Sequence, residues 1–306
     1  MDVRALRYFE TVAEFGSYSH GAKVLRISQP AISRQIRALE QEVGRPLFVR
    51  HSHGVSLTDA GCMLLRHSQS ILRQLEQARD DVRRGHEGPT GEVTLAIPAA
   101  AGTLLIPTLT RRVAEMYPGV RLRIITGIST YVHEWLMRGR VDLACLHDPV
   151  PQAGFTVTPL LREEFFLVGP VGLMGARRQI GIADLLRIPL LLPARPNPSR
   201  RLLESWLGRE GMQLNVRMEI DDHLIIRAMM RDGLGCSLLP QSAFNADVAS
   251  GALQFWRLRP TLSWSLVLMQ PPAQNHQPLA APIRAVVVET IEGLLKQRAW
   301  PGGSRP

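Results

Sequence analysis

The stretch SQPAISRQIRALEQEVGRPLF carries polar side chains along one flank of a pattern with helical apolar spacing. Gln29 and Ser33 are one helical turn apart. Pro30 and Arg34 have the same spacing, and Arg37 continues that side. Gln and Arg offer the paired hydrogen-bonding groups that match base edges in the major groove of DNA, and Ser is small enough for close approach. A solvated helix face would have the same periodicity, but the first two turns contain no acidic residue. This flank is therefore predicted to contact nucleic acid.

The segment that follows, RPLFVRHSHGVSLT, has short apolar runs on either side of the turn HSHG, which is typical of a hairpin. We predict that Arg50 contacts a phosphate from this hairpin. His51 and His53 are weaker candidates, because a neutral imidazole releases little counterion. Histidines in a surface turn are also ordinary polar residues.

The chain lacks the motifs of the common catalytic sites. It has no GxSxG, P-loop, HExxH or CxxC, and no GxGxxG after a predicted strand. Glu163 and Glu164 form an acidic pair, but the pair leads into a predicted strand and the sequence shows no partner base. We therefore predict that the protein is not an enzyme and uses no cofactor. An α/β enzyme with an accessory N-terminal domain is the chief alternative.

The three cysteines, Cys62, Cys145 and Cys236, are far apart and have no paired histidine. This spacing predicts neither a disulfide framework nor a zinc site, and it is typical of a reducing cytoplasm. A redox-sensing regulator that uses Cys145 and Cys236 is a further alternative, although isolated cysteines are usually small buried hydrophobic residues.

The composition is that of a globular protein: the chain has 306 residues, of which 45% are hydrophobic and 21% are charged, enough for two or three domains. The net charge of +9 divides into +3 for residues 1–57 and +6 for the rest, and a basic surplus is compatible with a nucleic-acid partner. The N-terminal run MDVRALRYFETVAEF contains acidic residues, unlike a signal peptide. No window of about 18 uncharged apolar residues is present. We predict a cytoplasmic protein without a membrane span, and the lack of a signal peptide argues against a solute-binding protein.

Three short predicted helices position the polar flank. The first has apolar residues at helical spacing and ends at Gly16; these residues are Leu6, Phe9, Val12, Ala13 and Phe15. Ser19 is predicted to cap the second helix, HGAKVL, and Ser28 the third. The core side of the third helix is formed by Ile32, Ile36, Leu39 and Val43, and Gly44 follows it. Two helices joined by the short turn RIS, the second of them amphipathic, are typical of a helix-turn-helix.

The run AKVLRISQPAISRQIRALEQEVGRPLFVRHSHGVSLTDAG resembles the winged helix-turn-helix of LysR-type transcriptional regulators. The resemblance implies that the third helix faces the major groove and that Arg50 and the next turn lie by the minor groove. The expected DNA-binding residues are Ser28, Gln29, Pro30, Ala31, Ser33, Arg34, Arg37, Arg50 and His53. The chain departs from the family at Gly21, where Ala is usual, and at His53, where Arg is frequent. Glycine is expected to loosen the second helix by up to about 1 kcal/mol.

A long helix is predicted from Thr58 to Arg84. Its apolar seam alternates spacings of four and three and consists of Leu64, Ser68, Ile71, Leu75, Ala78 and Val82. A monomer can bury such a stripe against its own core, but the Gly- and Pro-containing run GHEGPTG that follows favours a free-standing helix that dimerises. The family resemblance implies the same linker helix and extends the assembly to a tetramer, a dimer of dimers. We assign residues 1–57 to the DNA-binding domain, 58–87 to the linker and 88–91 to a hinge.

From Glu92 onward, predicted strands alternate with helices, which indicates parallel α/β sheets. The α/β region, residues 92–301, exceeds one typical lobe. The family resemblance implies two lobes like those of periplasmic solute-binding proteins: lobe I from 92–162 and 265–301, and lobe II from 163–264. A small-molecule effector is then expected in the cleft between them, at the carboxyl ends of the strands.

Residues at those strand ends form the predicted effector site: Ala100, Ala101, Ser129, Thr130, His147, Arg195, Asn197 and Cys236. Ser129 and Thr130 open a helix whose exposed N–H groups favour an anion, and Arg195 adds positive charge. The predicted effector is therefore a small carboxylate, sulfonate or similar anion. Ser129 as a simple helix cap and Asn197 as a turn residue are the alternatives.

These patterns and the family resemblance together imply a ligand-responsive transcription factor that binds double-stranded promoter DNA, a small effector and itself, with RNA polymerase as an expected further partner. The runs GISTYVHEWLMRGRVDLACLHDP and LVGP resemble the nitrogen-assimilation-control branch of the LysR-type regulators. The sequence does not identify the effector, the target genes or the sign of regulation.

Overall fold

The computed structural model describes residues 1–84, 89–208, 214–272 and 279–306. Its N-terminal unit contains three helices followed by a hairpin: α1 (Val3–Phe15), α2 (Tyr18–Val24), α3 (Gln29–Val43), β1 (Phe48–His51) and β2 (Gly54–Leu57). The long helix α4 (Asp59–Arg84) comes next and packs along α1.

Local chemistry sets the helix ends of the N-terminal unit. The prediction that Ser19 caps α2 is wrong. The N-cap is Ser17, whose hydroxyl accepts from the N–H of His20 at 3.3 Å. Ser28 occupies the N-cap position of α3, but its side chain makes no cap hydrogen bond, contrary to the prediction. Gly44 ends α3 in the left-handed conformation, as predicted.

One hydrophobic cluster joins the three helices to the hairpin; its buried members include Phe9, Val12, Ile32, Ile36, Leu39, Leu47 and Phe48. Val43 is 40% exposed, so the predicted core stripe of α3 ends one turn early. Gly54 has φ 142°, and a Cβ there would lie 2.4 Å from the carbonyl oxygen of Gly16. The N–H of Val55 donates to that same carbonyl at 2.8 Å. The hairpin is therefore fixed against the turn between α1 and α2.

Gly21, the departure from the family in α2, is buried against α1. A Cβ at this position would lie 3.3 Å from Cγ2 of Val12, a tight contact. The glycine thus lets α2 approach α1 closely, which offsets part of its poor helix propensity.

The remainder of the chain is an α/β body. Its first part comprises β3 (Gly91–Ile97), α5 (Ala99–Met116), β4 (Val120–Thr126), α6 (Ser129–Met137), β5 (Leu143–His147) and β6 (Thr156–Gly169). The second part comprises β7 (Gln179–Gly181), α7 (Ile182–Leu185), β8 (Leu190–Leu192), α8 (Pro198–Gly208), β9 (Val216–Glu219), α9 (His223–Arg231), β10 (Ser237–Pro240), a 3-10 turn (Gln241–Ala243), α10 (Asn245–Ala249) and β11 (Gln254–Arg259). The chain ends with β12 (Ser263–Gln270), α11 (Ala280–Lys296) and β13 (Gly303–Ser304).

The largest sheet has the strand order β4-β3-β5-β12-β6-β11-β7, and β10 and β13 also pair with β6. Parallel pairing, which the strand–helix alternation predicts, holds for β3 with β4 and β5 and for β8 with β9. β12 is antiparallel to both β5 and β6. The sheet is therefore mixed, because β6 and β12 run past each other in opposite directions at its centre.

Separate hydrophobic clusters divide the α/β body into two parts. We name as lobe I the elements β3–β5, α5, α6 and α11, whose core lies between α5, α11 and the sheet. We name as lobe II the elements β7–β11 and α7–α10, whose cores cover both faces of β11. Residues 156–164 of β6 pair with β12, and residues 165–169 pair with β10 and β11. The chain thus passes between the lobes within β6 and returns at the start of β12.

The described residues contain neither a candidate membrane span nor a cluster of metal ligands. No helix there combines the length and apolar character that a membrane span requires. Within the same residues, no three His, Cys, Asp or Glu side chains are grouped closely enough to hold a metal ion.

Candidate functional site

The outward side of α3 carries the predicted polar flank. Gln29, Pro30, Arg34 and Arg37 are all exposed, and the first turn has no acidic residue. Arg34 makes no hydrogen bond or ion pair with any residue that the structure describes. Its guanidinium is therefore available to an external partner.

Ser33 differs from its neighbours on this flank, because it is only 5% exposed. Nη2 of Arg37 lies 3.4 Å from its hydroxyl oxygen and donates to it. Ala31 is half-buried as well. In this arrangement Ser33 supports Arg37 and does not itself reach the surface.

Three exposed residues of α3 were missed in the sequence: Gln35, Ala38 and Gln41. Ala38 and Gln41 follow Arg34 at i+4 and i+7, so they lie on the same side of the helix. Extending the helical spacing outward from Arg34 would have found them.

The hairpin brings Arg50 next to the helices. Its guanidinium carbon lies 5.6 Å from the centre of the Tyr18 ring, within the range of a cation–π contact. Burial, followed by the charge of Glu40, raises the pKa of Tyr18. Nε2 of His51 lies 2.6 Å from the hydroxyl of Ser56. The exposed side chain of His53 lies in the turn of the hairpin.

The apolar seam of α4 is only partly covered by its own chain. Ser68 is fully buried, together with Leu65 and Leu72, which were not assigned to the seam. Leu64 and Leu75 are half-buried, and Ile71 is 39% exposed; Ala78 is exposed. The side chain of Val82, the last predicted member, lies outside the described residues. The side of α4 that contains Ser68 therefore packs on the rest of the chain, and the adjacent edge, formed by Leu64, Ile71 and Leu75, remains partly exposed.

Two of the predicted cleft residues lie together at the carboxyl end of β5. The hydroxyl of Ser129 accepts from the main-chain N–H of His147 at 3.1 Å and lies 3.5 Å from its Nδ1. Both residues are buried. In the next position of α6, Oγ1 of Thr130 is buried and has no hydrogen-bond partner among the described residues.

His147 is also the partner base that the sequence did not show for Glu163. Nε2 of His147 lies 3.2 Å from Oε2 of Glu163, which is 1% exposed. The same oxygen accepts from Nε1 of Trp264 at 3.1 Å, and Oε1 accepts from Nε1 of Trp300 at 2.9 Å. Burial alone raises the pKa of Glu163, but the hydrogen bonds and the charge of His147 outweigh it and hold the pKa below its usual range.

Ser129, His147 and Glu163 have the order of groups found in a hydrolytic triad. Here, however, all three are buried, and the ring of Trp264 stacks on that of His147 at 3.7 Å with an angle of 12° between the planes. The serine hydroxyl is bound to a main-chain N–H. The arrangement is a buried hydrogen-bonded cluster, and it offers no nucleophile to a substrate.

Arg195 lies on the surface and is already paired. Its side chain is 71% exposed and forms a two-pronged contact with Glu204, with Nη2 2.8 Å and Nε 2.9 Å from the carboxylate oxygens. Asn197 accepts from the N–H and the hydroxyl of Ser199 at the start of α8, which is the turn role named above as its alternative. Within the described residues, no hydrogen bond joins Arg195 or Asn197 to Ser129 or His147.

The other predicted cleft residues are packed inside. Ala101 is fully buried, and Ala100 packs against the lobe II cluster that contains Phe166. Cys236 is 1% exposed, and burial raises the pKa of its thiol to about 12, as it does for Cys145. Such thiols are poor nucleophiles at neutral pH, which weighs against a redox sensor.

Comparison with known proteins identifies both parts of the chain. Residues 3–62 match the family model described as bacterial regulatory helix-turn-helix protein, lysR family, and residues 86–292 match the LysR substrate binding domain. The nitrogen assimilation regulatory protein nac of Escherichia coli (strain K12) is 30% identical over 305 residues, covering 98% of this chain and 99% of the relative.

Two solved structures share the fold. ArgP from Mycobacterium tuberculosis has a TM-score of 0.75 at 21% identity and covers 96% of this chain and 98% of its own. Full-length CbnR, solved in complex with its target DNA, has a TM-score of 0.53 at 24% identity and covers 95% of this chain and 100% of its own. The chain therefore belongs to the LysR family of bacterial transcriptional regulators, and it combines a helix-turn-helix DNA-binding domain with a LysR-type effector-binding domain.

Proposed function

We propose that the protein binds specific promoter DNA through α3 and the β1–β2 hairpin, and that a small anionic effector in the interlobe cleft modulates its activity. The observation that carries the proposal is the exposed, acid-free start of α3 with the unpaired Arg34. CbnR, which shares the fold, was solved with target DNA. The proposal keeps the divisions 1–57, 58–87, 88–91 and 92–301, with the two lobes meeting at 162/163 and 264/265.

Each DNA-facing side chain has a distinct role in this proposal. Gln29 and Arg34 read base edges, and Pro30 lies beside them in the groove. Arg37 and Arg50 bind phosphates. The buried Ser33 holds Arg37 in place, while Ser28, Ala31 and His53 line the edges of the contact.

Replacing Arg34 and Arg50 separately tests this assignment on a site selected from random duplex DNA. Arg34→Ala should cost roughly 1–3 kcal/mol of preference for that site over random DNA. Arg50→Ala should weaken binding to all sequences and flatten the dependence of log K on log salt by about one unit. Arg201→Ala, an exposed arginine of α8, serves as the matched control. An unchanged ratio of specific to random binding in Arg34→Ala would contradict the groove assignment.

We also propose that the protein acts as a dimer through α4, and as a dimer of dimers on DNA. The partly exposed edge formed by Leu64, Ile71 and Leu75 supports this, because a heptad edge of this kind pairs with a second helix. A dimer would bind two half-sites related by its symmetry. RNA polymerase is the proposed further partner, and we propose no catalytic role.

For the effector we propose the cleft between the lobes, at the strand ends that carry Ala100, Ala101, Ser129, Thr130, His147, Arg195, Asn197 and Cys236. The buried, unpartnered hydroxyl of Thr130 near the N-terminus of α6 supports an anionic ligand at the lobe I side. Arg195 can take part only if the anion competes with Glu204 for it. Thermal shift with a panel of small carboxylates tests this: Thr130→Ala should abolish the response to a carboxylate that stabilises the unaltered protein. Retention of the full response would remove Thr130 from the site.

A further inference from the structure

The point at which the chain crosses between the lobes contains a buried polar cluster. Glu163 of β6 and Trp264 of β12 are paired in register there. His147, from the end of β5, and Trp300, which follows α11, approach from lobe I. Ser242, from the 3-10 turn after β10, approaches from lobe II. We name these five residues the junction cluster.

Three ring N–H or ring nitrogen contacts of the junction cluster converge on the carboxylate of Glu163. The imidazole of His147 and the indole of Trp264 contact Oε2, and the indole of Trp300 contacts Oε1, at 2.9 to 3.2 Å. The hydroxyl of Ser242, 6% exposed and without a hydrogen bond of normal geometry in the described chain, faces the same carboxylate. The carboxylate thus has donors on both oxygens.

These donors are rigid and held by their surroundings. Indole and imidazole rings have few rotatable bonds, and Trp264 is fixed between the stacked ring of His147 at 3.7 Å and the edge of Phe165 at 4.6 Å. Trp300 is 2% exposed and packs in the core of lobe I. A charge that is removed from water must be hydrogen-bonded and paired, or its burial is costly. The surroundings of Glu163 satisfy both conditions.

We propose that the junction cluster is a carboxylate-binding site that the chain fills with its own Glu163, so that the two lobes are held together by a tethered internal ligand. Because this ligand is part of the chain, occupancy of the site does not depend on the concentration of any free ligand in the cell. The junction is therefore closed whether or not an effector is present. This inference does not rest on the DNA-binding proposal, and it shares only His147 with the proposed effector cleft.

With the tether removed, the donors that face Glu163 should accept a free carboxylate. The test uses the full chain with Glu163→Ala, and it compares sodium formate and sodium acetate with sodium chloride at equal ionic strength. We expect the substitution to lower the midpoint of thermal unfolding by roughly 10 °C. Formate or acetate at about 100 mM should then recover a few degrees, since a ligand with a dissociation constant of about 10 mM stabilises the folded form by mass action.

Two controls separate this result from a general salt effect. Relative to chloride, acetate should stabilise Glu163→Ala more than it stabilises the unaltered protein or Glu164→Ala, a variant of the half-exposed neighbour. Tryptophan emission should change with acetate only in Glu163→Ala, because two indoles donate to the bound carboxylate. Equal responses in all three proteins, or none in Glu163→Ala, would overturn the proposal.

Glu163→Gln keeps the proposal testable should Glu163→Ala fail to fold. The amide of glutamine has nearly the same volume as the carboxylate of Glu163 but no charge. Its NH2 group would face one of the ring N–H donors that now contact the carboxylate. We expect a lower unfolding midpoint than in the unaltered protein and no recovery with acetate, because the site stays filled. A glutamine variant as stable as the unaltered protein would show that the junction does not require an anion.

Discussion

The outward side of α3 and the junction cluster use charged side chains in opposite ways. Arg34 is exposed and, among the described residues, has no partner, whereas Glu163 is 1% exposed and has donors on both oxygens. A free charge on a surface is available to a partner, and a satisfied charge in the interior connects parts of the fold. The two regions should therefore respond differently to mutation: the first through binding, the second through stability.

The largest effect is expected at a second buried carboxylate, Asp247 in lobe II. Its side chain is fully buried and contacts Arg227 and Arg231 of α9. Asp247→Ala should lower the free energy of unfolding by about 3–5 kcal/mol, because two arginines lose their compensating charge. Urea denaturation measures this, with the exposed Asp232→Ala as control. If Asp247→Ala instead loses DNA affinity while remaining as stable as the unaltered protein, the distinction is wrong: an interior charge would then act through binding and not through stability.

A smaller but decisive change is expected at the seam of α4. Leu75→Asp should dissociate the proposed dimer, because it removes apolar contact worth about 2 kcal/mol per helix and places a charge in the interface. Light scattering should show a lower mass at a given concentration, and Gln74→Asp, an exposed neighbour, should not. An unchanged mass for Leu75→Asp would exclude this edge as the interface.

The pH dependence of stability should come in part from two interior carboxylates. The pKa of Glu163 and that of Asp247 both lie below their usual ranges, the latter because bonds from Arg227 and Arg231 outweigh its burial. Since the unfolded chain binds these protons more readily, the stability that they contribute is present above pH of about 4 to 5 and is lost as the pH falls through the folded pKa values. Unfolding midpoints measured from pH 7 downward should fall more steeply for the unaltered protein than for Asp247→Asn. If the midpoints of the two proteins fall in parallel with pH, Asp247 is not a cause of the acid destabilisation.

The smallest effect is expected at Arg195. Because its exposed guanidinium is already paired with Glu204, Arg195→Ala should weaken the binding of an anionic effector by less than about tenfold, and it should leave operator binding unchanged. Isothermal titration with a carboxylate found by thermal shift measures this. Glu204→Gln sharpens the comparison, since it frees Arg195 and should tighten binding. A loss well above tenfold in Arg195→Ala would show that Arg195 leaves Glu204 to bind the effector.

Sequence patterns predicted α3 well because its information is local. The spacing of Ile32, Ile36 and Leu39 fixes the buried side, and the polar flank follows from it. The exception is Ser33, which lies at the edge of the buried stripe, where periodicity alone does not decide exposure. The domain divisions and the DNA-contacting residues stay predictions.

The lobe junction was beyond such patterns because its residues come from distant parts of the chain. His147 precedes Glu163 by 16 residues, and Trp300 follows it by 137. The pairing of β12 with both β5 and β6, and of β13 with β6, brings them together, and the pattern of each segment does not show which strands pair. β11 has the alternation of a half-buried strand, in which buried Trp256 and Leu258 alternate with two exposed arginines, but this alternation does not show which strands it pairs with. Arg195 was placed by its strand end, but the nearby Glu204 on α8 determines what it contacts.

The bond from Val55 to Gly16 has a consequence for how the protein adapts to DNA. Together with the contact of Arg50 on Tyr18, it ties the hairpin to the helices. Helix α3 and the hairpin should then meet one half-site as a single rigid piece with a constant angle between them. Any adjustment to operators with different distances between half-sites must come from outside the N-terminal unit. Operators lengthened by a few base pairs should therefore keep the footprint within each half-site unchanged and alter only the bend of the DNA between them.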